Sequence, residues 1–86
     1  MITVLDFYAT WCHPCKKLDP ELKKLEINYP NINFLKIDIE EQKELCEKYN
    51  IKAVPTIIII NENKEILSKI EGFNLPLLLS EIKKLV

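Results

Sequence analysis

Long apolar runs are missing from this chain. The longest, Ile57 to Ile60, spans four residues, far short of the ~20 needed to cross a bilayer as a helix, so a membrane-spanning helix is excluded. Arginine is missing too: all 12 basic residues are lysine, set against 13 acidic ones. The resulting formal charge of −1 leaves no electrostatic footprint for nucleic acid or an anionic membrane. The bias toward lysine, isoleucine, glutamate and asparagine fits an AT-rich genome or a hyperthermophile, and composition does not separate the two. Cysteine occurs only three times, too few and odd in number for a disulfide-stapled secreted scaffold. Met1-Ile2-Thr3-Val4 lacks the basic start of a secretory signal, and Asp6 interrupts the apolar stretch that would follow. These shortages favour a cytosolic protein, although a mature form already cleaved would read the same. No repeat, linker or low-complexity tract divides the 86 residues, and 48% of them are hydrophobic, so one domain over 1–86 with one core is expected.

What is present alternates between two periods. Ile2–Tyr8 is apolar at nearly every position, as in a strand covered on both faces. A helical pattern follows, with Leu18, Leu22, Leu25 and Tyr29 on one face, and Pro20 inside it predicts a kink. Ile32–Ile39 reads as a strand with Ile32, Phe34, Lys36 and Asp38 on one side and Leu35, Ile37 and Ile39 on the other. Glu41–Tyr49 reads as a helix turning Leu45, Cys46 and Tyr49 inward, with Asn50 as a left-handed stop. Thr56–Ile60, with its four consecutive β-branched isoleucines, is the strongest strand signal. Glu62-Asn63-Lys64 is a turn, and Glu65–Ile70 pairs back as a hairpin. After Gly72, the only glycine, Asn74 caps a last helix with Pro76 in its first turn and Leu75, Leu78, Leu79, Ile82 and Leu85 toward the core. The order is β-α-β-α-β-β-α, and the first two strands, joined by a helix, should be parallel.

Chemistry concentrates in Trp11-Cys12-His13-Pro14-Cys15-Lys16. Two thiols two residues apart, where a strand runs into a helix, can close a small disulfide ring and reopen it. The free N–H groups and dipole of the helix N-terminus favour a thiolate on the first of them. That reads as redox chemistry. A zinc site would need about four ligands, and only Cys46 and His13 remain to supply them. A structural disulfide across so short a loop would add little stability.

The chain resembles thioredoxin. The resemblance is carried by Asp6-Phe7-Tyr8-Ala9-Thr10 leading into the cysteine motif, by Pro20, by Lys36 with Asp38, by Tyr49-Asn50-Ile51-Lys52-Ala53-Val54-Pro55-Thr56, and by Gly72, in family order and at family-like spacing. It implies an α/β thioredoxin fold in its minimal form, a four-stranded mixed sheet flanked by three helices, without the family's usual first strand and helix. Two further departures are His13-Pro14 in place of Gly-Pro between the cysteines, and a last hairpin that is longer and lacks its customary glycine.

Roles follow from that resemblance. Cys12 is the nucleophile, with the exposed sulfur, and Cys15 resolves the mixed disulfide. Asp6 is a buried carboxylate behind Cys15 acting as its general base, raised by desolvation and partly offset by the nearby Lys36 ammonium. Pro55 is cis, and the backbone of Val54 hydrogen-bonds an extended substrate segment. Trp11 and Gly72 complete the groove. Protonated His13 would stabilise a Cys12 thiolate and make the disulfide more oxidising, whereas Pro14 matches the reductants. Cys46 is expected as packing.

The expected activity is thiol–disulfide exchange of thioredoxin type in the cytoplasm, reducing disulfides in protein substrates. It needs no bound cofactor and no metal, and it depends on an upstream reductase. A glutathione-using or isomerase-like redox protein and a non-catalytic binding module are the rivals. A monomer is expected, with weak pairing through the Ile32–Ile39 edge as a further possibility.

Overall fold

In the computed structural model, which describes residues 1–86, the alternating periods become β1 (Thr3–Tyr8), α1 (His13–Asn28), β2 (Asn33–Asp38), α2 (Lys43–Lys48), β3 (Thr56–Ile60), β4 (Ile66–Glu71) and α3 (Leu75–Leu85). The strands form one sheet in the order β2-β1-β3-β4. β1 runs parallel to β2 and antiparallel to β3, and β3 pairs antiparallel with β4. The sheet is therefore mixed, with β1 and β3 in its interior.

Position in the sheet explains composition. Every residue of β3 is buried, which requires a layer on each face. On one face Val4, Ile57, Ile59 and Ile70 pack against Leu18, Leu22 and Leu25 of α1 and Leu78 and Ile82 of α3. The alternate residues Leu5, Phe7, Ile37, Ile58 and Ile60 face Tyr49, with Leu45 and Cys46 of α2 half-buried beside them. Each apolar side chain buried this way contributes about 1.5–3 kcal/mol. No helix is long and apolar enough to cross a membrane.

α1 runs from His13 to Asn28 with Pro20 inside it. Several local expectations change. α2 is shorter than Glu41–Tyr49, because Asp38 captures the chain ahead of it. Its carboxylate accepts from the Glu40 N–H at 2.9 Å, and its carbonyl accepts from the N–H groups of Glu41 and Gln42 at 3.1 and 2.9 Å. Asn50 then ends the turn with φ 54°. Leu79 is exposed and not in the core, because Leu78 and Ile82, four apart, take the centre of the buried stripe. Leu35 is exposed as well, since β2 forms a sheet margin.

The hairpin between β3 and β4 manages without glycine. Lys64 takes φ 63°, and the Asn61 side chain accepts from the N–H groups of Asn63 and Glu65 at 2.9 and 3.0 Å, a side-chain substitute for a backbone turn. A register shift at Ile59/Ile60 takes up the extra residue.

Candidate active site

The site lies where β1 hands over to α1. The Cys12 N–H donates to the Ala9 carbonyl at 3.1 Å, turning the chain sharply out of the strand. Cys12 is then the helix N-cap, with an extended backbone at φ −86° and ψ 109°, and its sulfur accepts from the Cys15 N–H at 3.2 Å. Pro14 falls in the first turn, where a missing N–H costs nothing. Cys12 and Cys15 are joined as a disulfide with their Cα atoms 5.3 Å apart. Both pack against Ala9, with Tyr8, Ile39 and Val54 half-buried around them.

One expectation for the pair does not hold. Cys12 is 4% exposed and Cys15 6%, so Cys12 does not stand out as the accessible sulfur. The cap turn tucks it beneath Val54 and Ile39. The helix end distinguishes the two thiols instead: the Cys12 sulfur receives an N–H, whereas Cys15 sits one turn inside. His13 is exposed at the first helical position.

The facing wall is the bend before β3. The Val54–Pro55 peptide bond is cis, and the Thr56 hydroxyl donates to the Ala53 carbonyl at 2.7 Å across it. Gly72, with φ +84°, donates its N–H to the Pro55 carbonyl at 2.8 Å, tying the end of β4 to the bend. Beside the bend lies a hollow of about 460 Å³ lined by Trp11, Ile39, Cys46, Ile51, Lys52, Ala53 and Val54. Trp11 is largely exposed at its edge. Cys46, expected only as packing, is a free thiol on this lining. Its Sγ lies 3.8 Å from the Ile39 carbonyl, and burial pushes its pKa up, reinforced by Asp38 and Glu47.

On the α1 side of the sheet, Asp6 is buried and directly opposite Lys36 in the parallel register. Its Oδ1 has no side-chain or backbone donor. Burial pushes its pKa from 3.8 up to about 6, opposed by the Lys36 charge and reinforced by that of Asp19. Lys36, expected as the partner of Asp6, instead hydrogen-bonds Asp19 Oδ1 at 2.7 Å and lies over the Tyr8 ring at 4.5 Å. Burial would lower the Lys36 pKa, but Asp19 outweighs it and the net direction is upward. Asp19 is held low by its hydrogen bond from Lys36, with burial opposing, and Lys23 adds a contact at 3.4 Å. Sequence reasoning missed Asp19, although it lies four residues after Cys15 and so on the same helix face. No group of three or more His, Cys, Asp and Glu side chains converges to hold a metal ion.

The family model for thioredoxin matches residues 1–84. Thioredoxin-1 of Caenorhabditis elegans is 44% identical over 71 residues, covering 83% of this chain and 61% of that protein. Mitochondrial Thioredoxin-3 of Saccharomyces cerevisiae is 39% identical over 82 residues, covering 95% of this chain and 64% of that protein. The chain thus spans a little under two thirds of the length of these curated relatives. The crystal structure of the germline-specific thioredoxin Deadhead of Drosophila melanogaster superposes with a TM-score of 0.94 at 37% identity, over 99% of this chain and 81% of that one.

Proposed function

The chain belongs to the thioredoxin family, and from that membership we propose that it is a thiol–disulfide oxidoreductase acting on protein disulfides. The observation that carries the reading is the Cys12–Cys15 pair at a helix N-terminus, packed against Val54 of the cis-proline bend and beside an apolar hollow. A thiolate on Cys12 is stabilised by the helix end and attacks one sulfur of a substrate disulfide. A mixed disulfide forms and one substrate thiolate leaves with a proton from solvent. Cys15 then loses its proton to the Asp6 carboxylate and attacks the Cys12 sulfur. The internal disulfide closes, the second substrate sulfur departs and takes up a proton. Two electrons pass from the dithiol to the substrate, so the pair itself is the redox centre and no bound cofactor is needed.

The backbone of Val54 docks an extended substrate segment, with Trp11, His13, Pro14 and Gly72 around it, and Lys36 acts on the Asp6 carboxylate through its charge alone. The unit acts as a single domain over 1–86 and as a monomer, in electron transport and redox homeostasis. An upstream reductase returns the disulfide to the dithiol. The cytoplasm is the proposed location, and the mitochondrial yeast relative makes an organelle the alternative.

The test is reduction of insulin disulfides with dithiothreitol as electron source, together with the equilibrium potential of the pair. Wild type should reduce insulin and Cys12→Ser should not. Thioredoxin-type reductants and isomerases are established to differ by ~90 mV, or ~4 kcal/mol. A value at the reducing end is expected from Pro14, and one at the isomerase end would replace the reductant reading. The absence of any reversible Cys12–Cys15 couple would leave a binding module.

A further inference from the structure

Two cavities lie along the sheet-facing side of α1. The wider, about 280 Å³, opens beside Cys15 between Tyr8, Thr10 and Lys16. The narrower, about 30 Å³, reaches Asp6 between Val4, Leu22 and Phe34, and has room for a single water. Asp19 and Lys36 line both. Register brings Lys36 level with Asp6, yet its ammonium is committed elsewhere, to Asp19 Oδ1 at 2.7 Å and to the Tyr8 ring. The consequence is a buried carboxylate oxygen with no side-chain or backbone donor beside an ammonium that could have supplied one.

We propose that Asp19 is a positioning residue for proton transfer at Cys15, its ion pair holding the Lys36 ammonium away from Asp6 so that the buried carboxylate is not ion-paired. The role rests on the reading of Asp6 as the base toward Cys15.

The groups around Asp6 are few. β2 supplies Lys36, α1 supplies Asp19, Lys23 and Glu26 on the narrow cavity and Cys15 and the exposed Lys16 on the wide one, and β1 itself supplies Tyr8. β3 faces it with Ile57. Glu26 is exposed and Lys23 is engaged with Asp19 at 3.4 Å. Lys36 and Asp19 are the charges that act on Asp6, in opposite directions. Asp19→Asn acts twice in one sense: it removes a neighbouring negative charge and it frees the ammonium to turn toward Asp6. Asp19 lies on the helix surface and is only partly buried, so the substitution leaves the core intact.

The experiment titrates the Asp6 side-chain carboxyl by carbon-13 NMR in the oxidised 86-residue chain, for wild type, Asp19→Asn, Lys36→Met and the double variant. The Asp19→Asn midpoint should fall by about one pH unit, as an opposite charge brought alongside a carboxylate does. In the Lys36→Met background the fall should be less than half as large, because only direct repulsion remains. An unmoved midpoint, or an equal fall in both backgrounds, would overturn the proposal. In parallel, the acid limb of insulin reduction should move down with the Asp19→Asn midpoint. A limb that stays while the midpoint moves would remove the role at Cys15. Wild type inactive at every pH would instead overturn the oxidoreductase reading itself, whatever the midpoints show.

Discussion

Asp6→Asn should make the oxidised protein more stable and the enzyme slower, with a stability gain that depends on pH. Asp6 is 5% exposed, and burial pushes its pKa from 3.8 up to about 6. A raised carboxylate pKa means that the folded protein binds the proton more tightly than the unfolded chain. The stability this contributes is complete below 3.8, is lost as pH rises toward about 6, and stays lost above it. The two values lie roughly two pH units apart, which at ~1.4 kcal/mol per unit amounts to ~3 kcal/mol at pH 8. Asparagine carries no charge at any pH. It brings its own cost as a buried amide, about 1–3 kcal/mol if unpaired, but that cost is the same at pH 3.5 and pH 8. The diagnostic is therefore the difference between the two pH values. Urea unfolding of the oxidised proteins should show the variant gaining ~3 kcal/mol on wild type between pH 3.5 and pH 8, a relative midpoint change of roughly 2–3 M for a domain of this size. Insulin reduction should meanwhile slow by about 10- to 100-fold, at or below the usual ~10²–10⁴ contribution of a general base, because a thiol's own acidity still supplies some thiolate. An equal gap between variant and wild type at both pH values would refute the account of Asp6 as a carboxylate made costly by burial.

Two further substitutions test the frame that holds the site. Asn74→Ala removes the side-chain oxygen that accepts from the Leu77 N–H at 3.2 Å, and should cost about 1 kcal/mol in urea unfolding with no change in insulin reduction. At Gly72, φ is +84° and an added Cβ would meet nothing within 4 Å. The cost of Gly72→Ala is then that of the backbone conformation alone, about 1–2 kcal/mol, and the strained link to Pro55 should raise KM for insulin more than it lowers kcat.

Local signals in the sequence were reliable wherever the chain answers to its own neighbours. The cysteine pair at a helix start, the buried isoleucine strand, the left-handed Asn50 and the Asn74 cap are set by residues within a few positions. The errors arise where a distant element decides. Leu79 looked like core because it is apolar, but the rotation of α3 against the sheet gave that place to Leu78 and Ile82. Leu35 alternates correctly yet lies on an outer strand; the shortening of α2 is the exception, a local effect of the Asp38 turn. At the site, register brought Lys36 opposite Asp6 as the family resemblance implied. The side chain then chose Asp19, a residue 17 positions away that no sequence pattern marks as its partner. Cys46 likewise looked like filler until the bend before β3 came to lie across from it.

The capping bond from the Cys15 N–H to the Cys12 sulfur works in both directions. A coupling free energy between two equilibria is reciprocal, so whatever the helix end does to favour negative charge on that sulfur, the charge does equally to favour the first turn of the helix. Opening the disulfide and ionising Cys12 therefore supplies the 16-residue α1 with an anionic cap in place of a neutral one. The electron state of one sulfur atom and the fraying of a helix packed on one face of the sheet become a single linked quantity.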